Sequence, residues 1–171
     1  MSMNSVTLKG KPIELQGRFV KAGDMAPDFC LVSENLSDFT LKDGAGGNLV
    51  LNIFPSLDTD VCANSVRRFN KMATELPHTR VLCISRDLPF AQQRFCTVEG
   101  LFYVTPLSDF RPHSDFGEAY GVLIAGGPMA GLLARAVVVI NPEGKVVYSE
   151  LVPEITKEPD YGKALQAMSG C

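Results

Sequence analysis

The chain has 171 residues, 46% of them hydrophobic and 20% charged, enough apolar material for one domain over residues 1–171 with a full core. Its 16 basic and 19 acidic residues leave a net charge of −3, and the densest basic pair, Arg67-Arg68, falls short of the patch that nucleic acid needs. No apolar run approaches the roughly 20 residues that cross a bilayer. The opening residues lack the apolar stretch of a secretory signal, so a cytoplasmic protein without a membrane partner is expected.

The elements follow in chain order. "SVTLKGKPIELQG" alternates apolar and polar residues around Gly10-Lys11-Pro12 and predicts a hairpin within residues 1–20. "KAGDMAPDF" is a loop, and "FCLVSENLSDFTLKDG" predicts two short strands joined by a polar turn. "NLVLNIF" is a near-continuous apolar run, the pattern of a strand covered on both faces. From Cys62 the period becomes helical, with Cys62, Val66, Phe69, Ala73 and Leu76 on one stripe and Pro77 as the stop. "RVLCIS" predicts a buried strand, and "LPFAQQRFC" a short helix with Pro89 in its first turn. "DFRPHSDFGEAYG" predicts a helix ending near Gly121. "ARAVVVINPEGKVVYSEL" predicts two strands around an Asn-Pro-Glu-Gly turn. "EPDYGKALQAM" predicts a last helix with Leu165 and Met168 on its packed side. The order implies an α/β fold with a central mixed sheet and helices on both faces.

The five cysteines, Cys30, Cys62, Cys83, Cys96 and Cys171, are odd in number and include no C-x-x-C pair. A structural disulfide framework is not expected, nor is a metal site or cofactor, because the two histidines stand apart from one another and from any cysteine cluster. Cys30 and Cys83 lie inside apolar strand runs, where packing is the expected role. Cys171 is the terminal residue and reads as an incidental thiol. Cys62 is different. A thiol in the first turn of a helix meets unpaired backbone N–H groups and the positive end of the helix dipole, which favour the nucleophilic thiolate. Thr59 brings a hydroxyl three residues upstream, and Pro55 stiffens the loop as one wall of a small polar cleft. Position alone leaves Cys62 open between nucleophile and small buried hydrophobe, and leaves Cys96 equally open.

"FPSLDTDVCANSVRRFN" carries Pro55, Thr59 and Cys62 in the spacing P-x-x-x-T-x-x-C. With it in view the chain resembles the peroxiredoxins, and within them the bacterial thiol peroxidases, an atypical 2-Cys group. "VLCISRDLPFAQQRFC" resembles the segment bearing that family's second redox cysteine, and "GLLARAVVVI" the one bearing its active-site arginine. "GDMAPDF" and "LVPEITKEPDY" extend the similarity over nearly the whole chain. The resemblance implies a thioredoxin-like fold with an added N-terminal hairpin. It makes Cys62 the peroxidatic cysteine and Cys96 the resolving cysteine, with Thr59 and Arg135 holding the peroxide and Pro55 closing the pocket. It further implies a homodimer that reduces hydrogen peroxide and alkyl hydroperoxides, through an intramolecular Cys62–Cys96 disulfide that thioredoxin reduces. Asp60 departs from the family pattern, where a small or neutral residue is common. Its charge opposes a nearby thiolate unless the carboxylate caps the helix. The competing reading keeps the same disulfide but makes the protein a non-enzymatic redox sensor.

Overall fold

The structure, a computed structural model, describes residues 4–169; Cys171 lies outside the described residues. Ten strands form two sheets. The larger has the order β10-β9-β5-β6-β7-β3-β4, and the smaller the order β1-β2-β8. Here β1 is Ser5–Leu8, β2 Lys11–Gln16, β3 Cys30–Ser33, β4 Asp38–Thr40, β5 Asn48–Ile53, β6 Thr79–Ser85, β7 Val104–Ser108, β8 Leu123–Ile124, β9 Ala136–Ile140 and β10 Val146–Leu151. The helices are α1 Asp60–Ala73, α2 Pro89–Glu99, α3 Phe116–Tyr120 and α4 Tyr161–Ser169, with a 3-10 turn at Leu41–Gly44. This is the thioredoxin-like arrangement expected, with the added N-terminal hairpin formed by β1 and β2.

The central strands explain the layers. Side chains alternate across a strand. Leu49, Leu51 and Ile53 of β5, Leu82 and Ile84 of β6, and Ala136, Val138 and Ile140 of β9 enter one apolar cluster. Their neighbours Val50, Val81, Cys83, Val137 and Val139 enter another. The first cluster is completed by the hairpin (Val6, Ile13, Leu15) and by Phe116 and Tyr120 of α3. The second is completed by α1 (Cys62, Val66, Phe69), α2 (Cys96) and α4 (Ala164, Met168). A strand that must satisfy two apolar layers has no polar face to offer, which is why β9 reads as an unbroken hydrophobic run and β5 as a near-continuous one.

Several boundaries differ from the sequence reading. Helix α1 begins at Asp60, two residues before Cys62, and ends at Ala73, before Pro77 is reached. Helix α2 continues past Cys96 to Glu99, and Gly100 ends it in the left-handed conformation at φ 69°. Strand β7 was not expected, because Pro106 lies inside it. Strand β3 pairs only with Leu107 and Ser108 on that flank, so the missing N–H of Pro106 removes no bond to β3. On α4 the packed residues are Ala164 and Met168, whereas Leu165 is 37% exposed. Cys30 opens β3 with its side chain exposed rather than packed, while Cys83 is buried as expected.

Two glycines fix the hairpin against α3. Gly121 ends α3 at φ +70°, and a Cβ there would lie 2.2 Å from the Arg18 carbonyl carbon and the Phe19 nitrogen. Gly17, at φ +83°, would place a Cβ 2.1 Å from the Glu118 carbonyl oxygen. Gly121→Ala therefore combines left-handed strain with overpacking and should lower unfolding free energy by about 2–4 kcal/mol in urea titrations. Gly126→Ala, with nothing within 4 Å of the added carbon, should stay within about 0.5 kcal/mol of the parent.

Candidate active site

Strand register assembles the site. In the parallel trio β5-β6-β7, Ile53 stands beside Ile84, and Ser85 beside Ser108. Antiparallel β9 sets Ala136 beside Ile53, so Arg135 arrives where the chain leaves β5. The loop after β5, the turn after β6 and the start of β9 thus converge at the carboxyl ends of the parallel strands, where α/β sheets characteristically place their sites.

At that end Arg135 and Cys62 meet. Arg135 is 2% exposed, and its Nη2 donates to Cys62 Sγ at 3.2 Å. Its Nε donates to the Ile155 carbonyl at 3.0 Å. Nη1 is buried with no hydrogen-bond partner among the described residues, and no carboxylate pairs with this guanidinium there. Sulfur and guanidinium are fixed from opposite sides of the fold. Cys62 is the third residue of α1, where first-turn N–H groups lack intrahelical acceptors. The Ile155 carbonyl belongs to the segment after β10, which is tied to β1: Thr7 N donates to the Pro153 carbonyl at 2.7 Å and Ile155 N to the Thr7 carbonyl at 2.9 Å. Glu154 closes the same junction. Bonds from the Thr156 and Gly10 backbone N–H groups, aided by the Thr7 and Thr156 hydroxyls, hold its carboxyl down at about 2.

The other expected residues fall into place unevenly. Pro55 is buried two residues past the end of β5. Thr59 is the N-cap position of α1, but its hydroxyl donates to the Ser56 carbonyl at 3.0 Å rather than to the sulfur. Its carbonyl accepts from Ala63 N at 3.0 Å. Asp60 is not the capping residue. It is the first helical residue and exposed, so its charge faces water at the positive end of the helix. Cys62 itself is 0% exposed, so the open cleft expected around it is closed in this conformation. Cys96 is 5% exposed in the same apolar cluster, and both thiols are free. Burial, with the charge of Glu34 adding to it, pushes the Cys96 thiol up to about 11. Burial pushes Cys83 up to about 12. Phe90 is 62% exposed. Arg67 reaches Glu99 of α2 at 2.7 Å, an exposed pair of small energetic weight.

The sequence reading missed two polar networks. Beneath α1, Ser65 Oγ donates to the Cys62 carbonyl at 2.8 Å, and Asn52 Nδ2 donates to Ser65 Oγ at 3.3 Å and Cys83 Sγ at 3.7 Å. Beside the loop, the Asp87 carboxylate accepts from Ser56 Oγ at 2.8 Å, Leu57 N at 2.8 Å and Ser85 Oγ at 2.7 Å. Asn52 was hidden in an apolar run, and Asp87 looked like an ordinary residue before a proline-started helix.

A raised thiol pKa links to stability with a definite sign. The unfolded Cys96 ionises near 9.0 and the folded one at about 11, so its stabilising contribution is complete below pH 9 and is lost as pH climbs towards 11. Urea titrations under reducing conditions should show stability falling over that interval, with roughly 2 kcal/mol less fall in Cys96→Ala.

Comparisons with known proteins agree over the whole length. The Redoxin family model matches residues 21–165. A thiol peroxidase of Corynebacterium glutamicum is 50% identical over 167 residues, covering 98% of this chain and 100% of that protein. A thiol peroxidase of Mycobacterium bovis is 52% identical over 166 residues, covering 97% of this chain and 99% of that one. Among solved structures, a peroxiredoxin-like protein from Aquifex aeolicus superposes with a TM-score of 0.90 at 41% identity, covering 99% of each chain.

Proposed function

Because the chain belongs to the redoxin family and, within it, to the thiol peroxidase peroxiredoxins, we propose that it reduces hydrogen peroxide and alkyl hydroperoxides at Cys62 and recycles through a Cys62–Cys96 disulfide. The observation that carries this reading is the Arg135 guanidinium. It is buried, donates to the Cys62 sulfur at 3.2 Å, and keeps Nη1 without a partner. A buried cation without a carboxylate needs an anion nearby. The Cys62 thiolate is that anion, and an oxygen bound beside the sulfur is the acceptor Nη1 lacks.

The reaction follows from these parts. The thiolate attacks one peroxide oxygen; the S–O bond forms as the O–O bond breaks, and the electron pair leaves on the distal oxygen. Arg135 donors stabilise the charge building there, and protonation gives water or an alcohol. Cys62 is then a sulfenic acid. The Cys96 thiol condenses with it, forming the disulfide and releasing water. An external dithiol, thioredoxin, reduces that disulfide by exchange. Bridging needs Cα atoms within about 7 Å, and the two thiols start buried on separate helices. The first turn of α1 and the α2 segment around Cys96 therefore unwind in each cycle. Thr59 turns from the Ser56 carbonyl towards the bound peroxide, and Pro55 walls that space. The protein works as one domain over residues 1–171, in antioxidant defence, as a cytoplasmic homodimer; among the described residues no helix is long and apolar enough to cross a membrane.

A steady-state assay with hydroperoxide, thioredoxin and its reductase tests the assignment. Cys62→Ser should lose all activity. Cys96→Ser should consume about one equivalent of peroxide and then stop. Full turnover in Cys62→Ser rejects the scheme. In the same assay Arg135→Lys should slow Cys62 oxidation by about 10²-fold, because one ammonium lacks the fork that holds both the Ile155 carbonyl and the sulfur.

A further inference from the structure

Asp87 stands between the two elements that the proposed cycle must move. On one side, its carboxylate accepts from Ser56 Oγ and Leu57 N, both at 2.8 Å, in the loop that leads into α1. That loop is a tight knot. Ser56 Oγ also accepts from Asp58 N at 3.1 Å, and the Ser56 carbonyl accepts from Thr59 N at 3.3 Å and Thr59 Oγ1 at 3.0 Å. Thr59 is the N-cap position, so what fixes Ser56 fixes the start of α1 and the placement of Cys62 three residues on.

On the other side, Asp87 immediately precedes Leu88, the N-cap position of α2, the helix that carries Cys96. Its carboxylate accepts from Ser85 Oγ at 2.7 Å. That hydroxyl in turn accepts from Gln92 Nε2 at 3.2 Å and from Asp87 N at 3.3 Å. Gln92 Nε2 donates to the Leu107 carbonyl at 2.9 Å as well, and the Asp87 carbonyl accepts from Ser108 Oγ. Ser85, Gln92 and Ser108 are all fully buried. One carboxylate therefore joins the Cys62 loop to the entrance of the Cys96 helix, on a base made of β6 and β7. Hydrogen bonds to a charged acceptor are roughly twice as strong as neutral ones, and three of them converge here.

We propose that Asp87 is a positioning residue for both half-reactions: its carboxylate holds the 56–59 loop and the α2 entrance in the closed geometry where Cys62 meets Arg135, and releasing this clamp is what allows Cys62 and Cys96 to join. The proposal rests on the reading of Cys62 as the attacking sulfur. The clamp favours the first step, because it keeps the sulfur beside the guanidinium. It opposes the second, because both helices must leave their closed positions. Weakening it must shift the two steps in opposite senses, which a loss of general stability does not do.

The experiment uses the reduced full-length chain with hydrogen peroxide, followed by rapid-quench mass spectrometry, since the protein has no tryptophan to report the steps. Three quantities are read in wild type, Asp87→Ala and Ser56→Ala: the second-order rate of Cys62 oxidation, the first-order rate of disulfide formation, and the fraction of sulfinic acid at high peroxide. Asp87→Ala should oxidise at least tenfold more slowly, and Ser56→Ala, which removes the Ser56 Oγ bonds to Asp87 and from Asp58 N but leaves Ser85 in place, about threefold. In both, disulfide formation should be faster than in wild type, and the sulfinic fraction should fall. Melting curves identify an unfolded Asp87→Ala, in which case Ser56→Ala decides alone. Wild-type oxidation rates in the folded variants, or disulfide formation no faster than in wild type, overturn the proposal. A wild type that reacts at a sulfur other than Cys62 overturns the reading beneath it as well, so the two failures are distinct.

Discussion

A guanidinium sealed from water governs this end of the molecule. Arg135 immediately precedes β9, no carboxylate among the described residues pairs with it, and it divides its bonds between the Cys62 sulfur and the Ile155 carbonyl. Removing a cation from water is costly unless its donors find acceptors in good geometry. The surroundings supply acceptors for Nη2 and Nε, the Cys62 sulfur in the first turn of α1 and the Ile155 carbonyl after β10, and none for Nη1 among the described residues. A sulfur in this place cannot be exchanged for a methyl group without leaving a second donor stranded. That asymmetry separates Cys62 from Cys83, which shares its apolar cluster but whose bonded neighbour is the neutral amide of Asn52.

The rest of the fold serves to bring these pieces to one place. The two apolar layers lock the register of β5, β6 and β9, because a slip by a single residue would exchange their faces. With the register locked, the loop after β5, the turn after β6 and the approach to β9 have no freedom about where they meet. Polar side chains then set the finer geometry: Asp87 for the loop, and Ser65 with Asn52 for the first turn of α1.

Much of this was readable in the amino-acid order. Near-continuous apolar runs identified β5, β6 and β9 because a strand buried on both faces leaves no other pattern. The Asn-Pro-Glu-Gly turn identified the β9–β10 hairpin, and the stripe from Cys62 to Phe69 identified α1. The Cys62–Arg135 encounter spans 73 positions, and only resemblance to a family, not spacing, suggested it. Other features had no local signature. Pro106 concealed β7, since a proline costs a strand its donor only where a neighbour needs it. The two residues of β8 are too few to show a period. Thr59 stands at the N-cap position of α1, but its hydroxyl orientation depends on a carbonyl three residues back. Asp87 has the appearance of a turn residue, and its partners come from two strands and a loop that only the folded sheet brings together.

The leading strand reaches further than its position at the edge implies. Thr7 exchanges backbone bonds with Pro153 and Ile155, and the Ile155 carbonyl holds Arg135 Nε. The Cys62 sulfur is therefore a few bonded contacts from Thr7. Fusion tags, proteolytic nicks or a displaced translation start that disturbed Thr7 would have a direct bonded route to the guanidinium. For anyone engineering this protein, β1 is part of the scaffolding of Arg135, and additions belong where no such route begins.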